Sequence, residues 1–103
     1  MKTYCFDIDG TICTIETPDN YANAKPITEP INRIEEINKL YDEGHTIYFY
    51  TARHSMQAMI THFWLRKHGV KYHQIFFGKP VADKYIDDRG ETPELFFQML
   101  GEE

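Results

Sequence analysis

Short apolar runs alternate with stretches of helical period along this chain, and that alternation constrains the fold more than any other feature. Lys2 to Ile8 reads as a mostly buried strand, with Tyr4, Cys5, Phe6 and Ile8 packed ahead of a polar turn. Residues 10 to 27 show no period and contain Pro18, Asp19, Asn20 and Pro26, so an irregular excursion is expected there. Thr28 then reads as an N-cap with Pro30 in the first turn and Gly44 as the stop. Ile31, Ile34, Ile37, Leu40 and Tyr41 fall on the inward face of that helix. Thr46 to Tyr50 is a second strand. Ser55 can cap a helix to about His68, with Met56, Met59, Ile60 and Phe63 inward and Gly69 closing it. Gln74 to Phe77 and Lys84 to Ile86 are expected as strands, and Thr92 and Pro93 open a last helix carrying Leu95, Phe96, Met99 and Leu100. The order β-α-β-α-β-β-α implies a mostly parallel sheet of about four strands joined by right-handed crossovers.

With 103 residues the chain is long enough for one domain, spanning 1–103, and one core without metal or disulfide staples. Eleven basic residues against sixteen acidic leave a formal charge of −5, which argues against a nucleic-acid backbone as the main ligand. The longest apolar run, Ile47 to Tyr50, is far too short for a bilayer. Asp7 arrives before any apolar stretch has formed, so no signal peptide is expected. Cys5 and Cys13 are too few for a secreted disulfide scaffold and read as two reduced thiols. A cytoplasmic protein is the expectation.

In open α/β sheets the ligand site lies beyond the carboxyl ends of the strands. The first strand ends in Asp7-Ile8-Asp9-Gly10-Thr11 and the second in Thr51-Ala52-Arg53. Gly78-Lys79-Pro80 follows the third, and the fourth runs into Asp87-Asp88-Arg89. Taken singly, each has an ordinary structural explanation: Asp-x-Asp-Gly is a turn, Asp87-Asp88 a solvated strand end, Lys79 a surface lysine. Together, at successive strand ends, they point to a site. Carboxylates gathered this tightly repel one another, and a divalent cation is the usual remedy. Hard oxygen donors suit Mg²⁺ better than zinc, and lysine, arginine and threonine beside that metal suit a phosphoryl group. Other chemistries fail on residue count. Neither cysteine begins a Cys-x5-Arg, Ser55 is the only serine and lacks a nucleophile elbow, and the glycines form no Gly-x-Gly-x-x-Gly or Walker loop. His45, His54, His62, His68 and His73 show no zinc spacing and read as surface or packing residues.

Phe6-Asp7-Ile8-Asp9-Gly10-Thr11 resembles the Asp-x-Asp-Gly-Thr first motif of the haloacid dehalogenase (HAD) superfamily of phosphohydrolases. Thr51 is similar to its second motif, Lys79 to its third and Asp87-Asp88 to its fourth. Thr51-Ala52-Arg53, Phe77-Gly78-Lys79-Pro80 and Tyr85-Ile86-Asp87-Asp88 also resemble small members associated with capsular-polysaccharide gene clusters. The resemblance implies a minimal HAD-like Rossmannoid, a three-layer α/β sandwich with no cap domain. It implies Asp7 as the nucleophile that forms an aspartyl-phosphate, and Asp9 as general acid and base. Thr51 would bond a phosphoryl oxygen and Lys79 would neutralise charge. Asp7, the Asp9 carbonyl, Asp87 and Asp88 would hold Mg²⁺. Arg53, with Gly10 and Thr11, is placed at the substrate, expected to be a sugar phosphate or a polymer-linked phosphate ester.

Two further readings stand beside this one: a phospho-receiver-like regulatory module and a phosphate-binding protein without turnover. In receivers the acidic pair precedes a separate phosphoacceptor Asp and the lysine comes last. Here Asp-x-Asp leads and Asp87-Asp88 follows Lys79, against that order. Without a cap, the 12–26 excursion, a partner subunit or a bulky substrate must exclude water. Tyr21 and Lys25 are suited to meet a sugar and an anion, and exposed aromatics would support a two-fold homodimer.

Overall fold

The structure, a computed structural model, describes residues 1–77, 83–86 and 92–101. Lys79, Asp87 and Asp88 lie outside the described residues. Four strands, β1 (Thr3–Asp7), β2 (Thr46–Tyr50), β3 (Gln74–Phe76) and β4 (Lys84–Ile86), form one sheet in the order β3-β2-β1-β4. All three pairings are parallel, with Asp7 opposite Tyr50, Tyr50 opposite Phe76, and Phe6 opposite Ile86.

The sheet's side chains alternate between two faces. Tyr4, Phe6, Ile47, Phe49 and Ile86 point one way and join Ile34, Ile37, Leu40, Trp64, Leu65, Phe96 and Phe97 in one hydrophobic core. These last seven come from α1 (Arg33–Asp42), α2 (Ala58–Lys67) and α3 (Pro93–Gly101), so all three helices cover the same face. The expected small α/β fold is present, and α1 and α2 share one face of its open parallel sheet. Chain direction supplies the reason. The steps β1→β2→β3 run the same way across the sheet, and right-handed crossovers then place α1 and α2 on one side.

Other boundaries move for local reasons. Asn32, not Thr28, caps α1: its side chain accepts from the Glu35 N–H at 3.2 Å. Gly44 and Gly69 take positive φ after α1 and α2, as helix-stopping glycines do. Thr92 caps α3, its hydroxyl accepting from the Leu95 N–H, with Pro93 in the first turn as expected. The irregular excursion contains a 3-10 turn over Pro18–Asn23, and its two ends pair through Thr14 N–H to the Lys25 carbonyl and Ile27 N–H to the Ile12 carbonyl.

The inward face of α2 differs from the one expected. Thr61, Trp64 and Leu65 are buried, whereas Met56, Met59 and Phe63 stand exposed, Met59 at 87%. Both faces of this helix are apolar, so periodicity alone cannot choose between them. Two polar anchors choose. The Trp64 indole N–H donates to the Ala24 carbonyl at 2.8 Å, and the Thr61 hydroxyl accepts from Arg53 at 3.1 Å. In α3, similarly, Phe96 and Phe97 are buried while Leu95 and Met99 are exposed.

Candidate active site

Strand order reverses at β1, whose chain continues toward β2 on one side while β4 arrives from across the sheet on the other. Ligands of open α/β sheets bind at such a switch point, outside the carboxyl ends. Asp7 is the last residue of β1, and its Oδ1 accepts from the Ile8 N–H at 2.8 Å. The chain then turns sharply. Thr11 N–H and Ile12 N–H both donate to the Ile8 carbonyl, and the Gly10 N–H donates to the Cys13 carbonyl at 2.8 Å. Gly10 sits at φ +81°, where a side chain is strained, and an added Cβ would stand 3.3 Å from Ile15 Cδ1. This turn returns the chain beside its own strand end, with Cys13 bridging to both Asp9 and Pro26.

Asp9 projects into a network rather than into solvent. Arg53 donates to both of its oxygens, from Nη2 to Oδ1 at 2.6 Å and from Nε to Oδ2 at 3.0 Å. The remaining terminal nitrogen donates to Thr61 Oγ1, and the Tyr21 ring lies 3.7 Å from the guanidinium carbon. Arg53's side chain is 2% exposed and that of Asp9 22%. Burial works against the charged guanidinium, but the bonds to Asp9 and its charge outweigh it and hold Arg53 above its ordinary pKa. Arg53, expected at the substrate, is thus turned onto a carboxylate of its own chain. The planar fork of arginine makes that bidentate contact; a lysine cannot.

Thr51 is buried one residue beyond β2, its N–H donating to the Phe76 carbonyl at 3.0 Å. Its hydroxyl oxygen accepts from the Arg53 N–H at 3.0 Å, which fixes the side chain beside the Asp9 pair. Thr11 is buried, and its carbonyl accepts from Arg33 at 2.8 Å, which ties the loop to the start of α1. Cys13 Sγ lies 3.7 Å from the Ile8 carbonyl and 3.9 Å from Asp9 Oδ1. Burial first, and the Asp9 charge second, push its thiol up to about 12, which removes it as a nucleophile.

The structure therefore brings Asp7, Asp9, Gly10, Thr51 and Arg53 to one end of adjacent strands. Thr61 and the Tyr21–Arg53 stack were not legible as parts of the site. A threonine on a helix carries no motif, and Tyr21 gives no signal of its partner. The histidines pack as expected: His73 Nδ1 accepts from the Ile47 N–H and its ring stacks on Tyr41. Among the described residues no group of three or more metal-binding side chains gathers. With both Asp9 oxygens on Arg53, the groups suited to a hard cation are the Asp7 carboxylate and the Asp9 backbone carbonyl. Both are oxygen donors of the kind Mg²⁺ takes.

No protein-family description and no curated protein matches the chain. Among solved structures it is similar to a conserved protein from Bacteroides thetaiotaomicron, at 21% identity and a TM-score of 0.73, over 98% of this chain and 90% of that one. A chain in the Pnkp1/Rnl/Hen1 complex is similar at 19% identity and a TM-score of 0.62, over 94% of this chain but 34% of its own length. At these identities the likeness is one of fold: an α/β domain with an open parallel sheet.

Proposed function

We propose that this chain is a HAD-type phosphatase, a Mg²⁺-dependent phosphomonoesterase working through an aspartyl-phosphate on Asp7. The observation that carries the reading is the pairing at the β1 end. Asp7 and Asp9 stand two residues apart at the switch point, one held by a backbone N–H and the other by an arginine fork. In the first half-reaction Asp7 attacks phosphorus, the phosphorus–oxygen bond to the leaving group breaks, and Asp9, having first taken up a proton from solvent on a lone pair that Arg53 leaves open, gives that oxygen the proton. In the second, Asp9 takes a proton from water, which attacks phosphorus and frees Asp7 and inorganic phosphate. In this reading Thr51 donates its hydroxyl proton to a phosphoryl oxygen, a role supported by its lone pair accepting from the Arg53 N–H. In this reading Lys79 would complete the charge balance, and Asp87 and Asp88 would join Asp7 and the Asp9 carbonyl as the residues that hold the metal. Bound Mg²⁺ would supply charge neutralisation at the phosphoryl oxygens. The short phrases around Thr51, Lys79 and Asp87 favour a sugar phosphate or polysaccharide precursor as substrate.

The test is turnover of p-nitrophenyl phosphate by the full chain with Mg²⁺, followed by borohydride trapping of the acyl-phosphate. Turnover lost in chelator, with a reduced aspartate mapped to position 7, is the expected result. Phosphate binding without turnover would replace the enzyme reading with that of a binding module.

A further inference from the structure

Resting on that reading, we propose that Tyr21 is a positioning residue for Asp9, acting through Arg53, so that the turn at Pro18–Asn23 sets the orientation of the acid/base carboxylate. Three contacts make the chain of command. The guanidinium carbon lies over the Tyr21 ring, 3.7 Å from its centroid, Arg53 forks onto both Asp9 oxygens, and Thr61 takes the remaining terminal nitrogen. A guanidinium held only at its edge can swing about its long side chain. A ring on its face restricts it to one plane, and that plane is the one the Asp9 fork requires. The turn itself is anchored elsewhere. Ala24, next after it, is buried and its carbonyl takes the Trp64 indole N–H, while the Asn20 amide reaches Glu16 at 2.7 Å. Tyr21 is therefore presented from a braced segment and does not simply lie where the site leaves room. A stacking partner for substrate is the other use for an aromatic here, but one face of the ring is already taken by Arg53.

The consequence is kinetic and specific. Misplacing the carboxylate should slow esters with poor leaving groups, which need a proton, far more than nitrophenyl phosphate, which does not. Tyr21→Ala should lower kcat on an alkyl phosphate on the order of tenfold with KM little changed. Tyr21→Phe, which keeps the ring, should retain wild-type behaviour on both esters. In an Asp9→Asn background Tyr21→Ala should add no further loss. Equal loss on both esters with a raised KM would make Tyr21 a substrate contact and overturn the proposal, as would a full additional loss in the Asp9→Asn background. A second measurement needs no turnover. The Arg53 guanidinium NMR signals should be resolved in the wild type and in Tyr21→Phe, and averaged by rotation in Tyr21→Ala. Averaging already in the wild type would overturn the clamp. Resolved signals in a chain that hydrolyses no ester would leave the positioning intact and sink the phosphatase reading alone.

Discussion

Phe49 and Tyr48 are neighbours on one strand and live in different molecules, physically speaking. Phe49 is fully buried and tilts against Phe6 at 6.0 Å between centroids, inside the core that the three helices close. Tyr48 faces the other way, half-buried, with its edge on Phe76 at 5.2 Å and outside that core. β1 repeats the division. Tyr4 and Phe6 serve the packed face, while Cys5 and Asp7 belong to the other. The helix-covered face carries the hydrophobic core, while the proposed chemistry sits at the carboxyl end of the sheet: Tyr4 and Phe6 of β1 belong to that core, and the Asp7 carboxylate at the strand's end does not. The two properties should then fail separately when mutated.

The largest effect expected is on turnover. Asp7→Asn should reduce kcat on the order of 10⁴-fold or more, as removal of a covalent nucleophile does. Its thermal midpoint should not fall, because one charge leaves a cluster of acids and no apolar contact is lost. A drop of several degrees in Asp7→Asn would show that the carboxylate is structural and would merge the two faces. Phe49→Ala is the converse. It should cost about 3–5 kcal/mol of stability, a large part of what a domain this size possesses, while kcat per folded molecule stays near wild type. Denaturant titration and turnover on the same preparations decide it.

Arg33 is where the division should blur. It is buried under the core face with its guanidinium 5.2 Å from the Phe97 ring, yet it donates to the Thr11 carbonyl in the turn that carries Asp9. Burial lowers its pKa, only partly opposed by Glu94 at 3.8 Å, so its charge is held at some cost for the sake of that contact. Arg33→Met keeps the stem and loses the hydrogen bond, leaving a carbonyl unpaired. A loss of about 1–3 kcal/mol is expected, together with a fall in kcat that Phe49→Ala does not show. Stability loss without any change in turnover would mean that the Thr11 contact does not reach the site.

These expectations also mark how far the sequence could be read. The strand-end carboxylates were visible because alternation fixes which residues finish a parallel strand, and Asp7, Asp9 and Thr51 fall where it says. The helix roll of α2 was not visible, since Met56, Met59 and Phe63 make as good an apolar stripe as Thr61, Trp64 and Leu65. Only the Trp64–Ala24 and Thr61–Arg53 bonds, 40 and 8 residues apart in sequence, select the second. The same holds for Arg53. Its charge and its place after β2 suggested an anion from outside, and nothing local shows that Asp9, 44 residues away, is that anion. That α1 and α2 share one face was hidden for a related reason. Element order announces crossovers, but only the strand order β3-β2-β1-β4 tells which crossovers share a face.

Tyr48→Thr carries the smallest expected effect and bears most directly on the comparison. Threonine keeps the β-branched preference for a strand, so backbone propensity changes little. What goes is the edge-to-face contact with Phe76 and part of a half-exposed ring, worth about 1 kcal/mol together. A loss of that size, against the several expected one residue along at Phe49, would establish that the second face contributes contact but no core. A loss matching Phe49→Ala would mean that the Tyr48 face is packed as tightly as its opposite. The fold would then have to be counted as two cores sharing one sheet, and Asp7 would lose the independence from packing on which the first prediction depends.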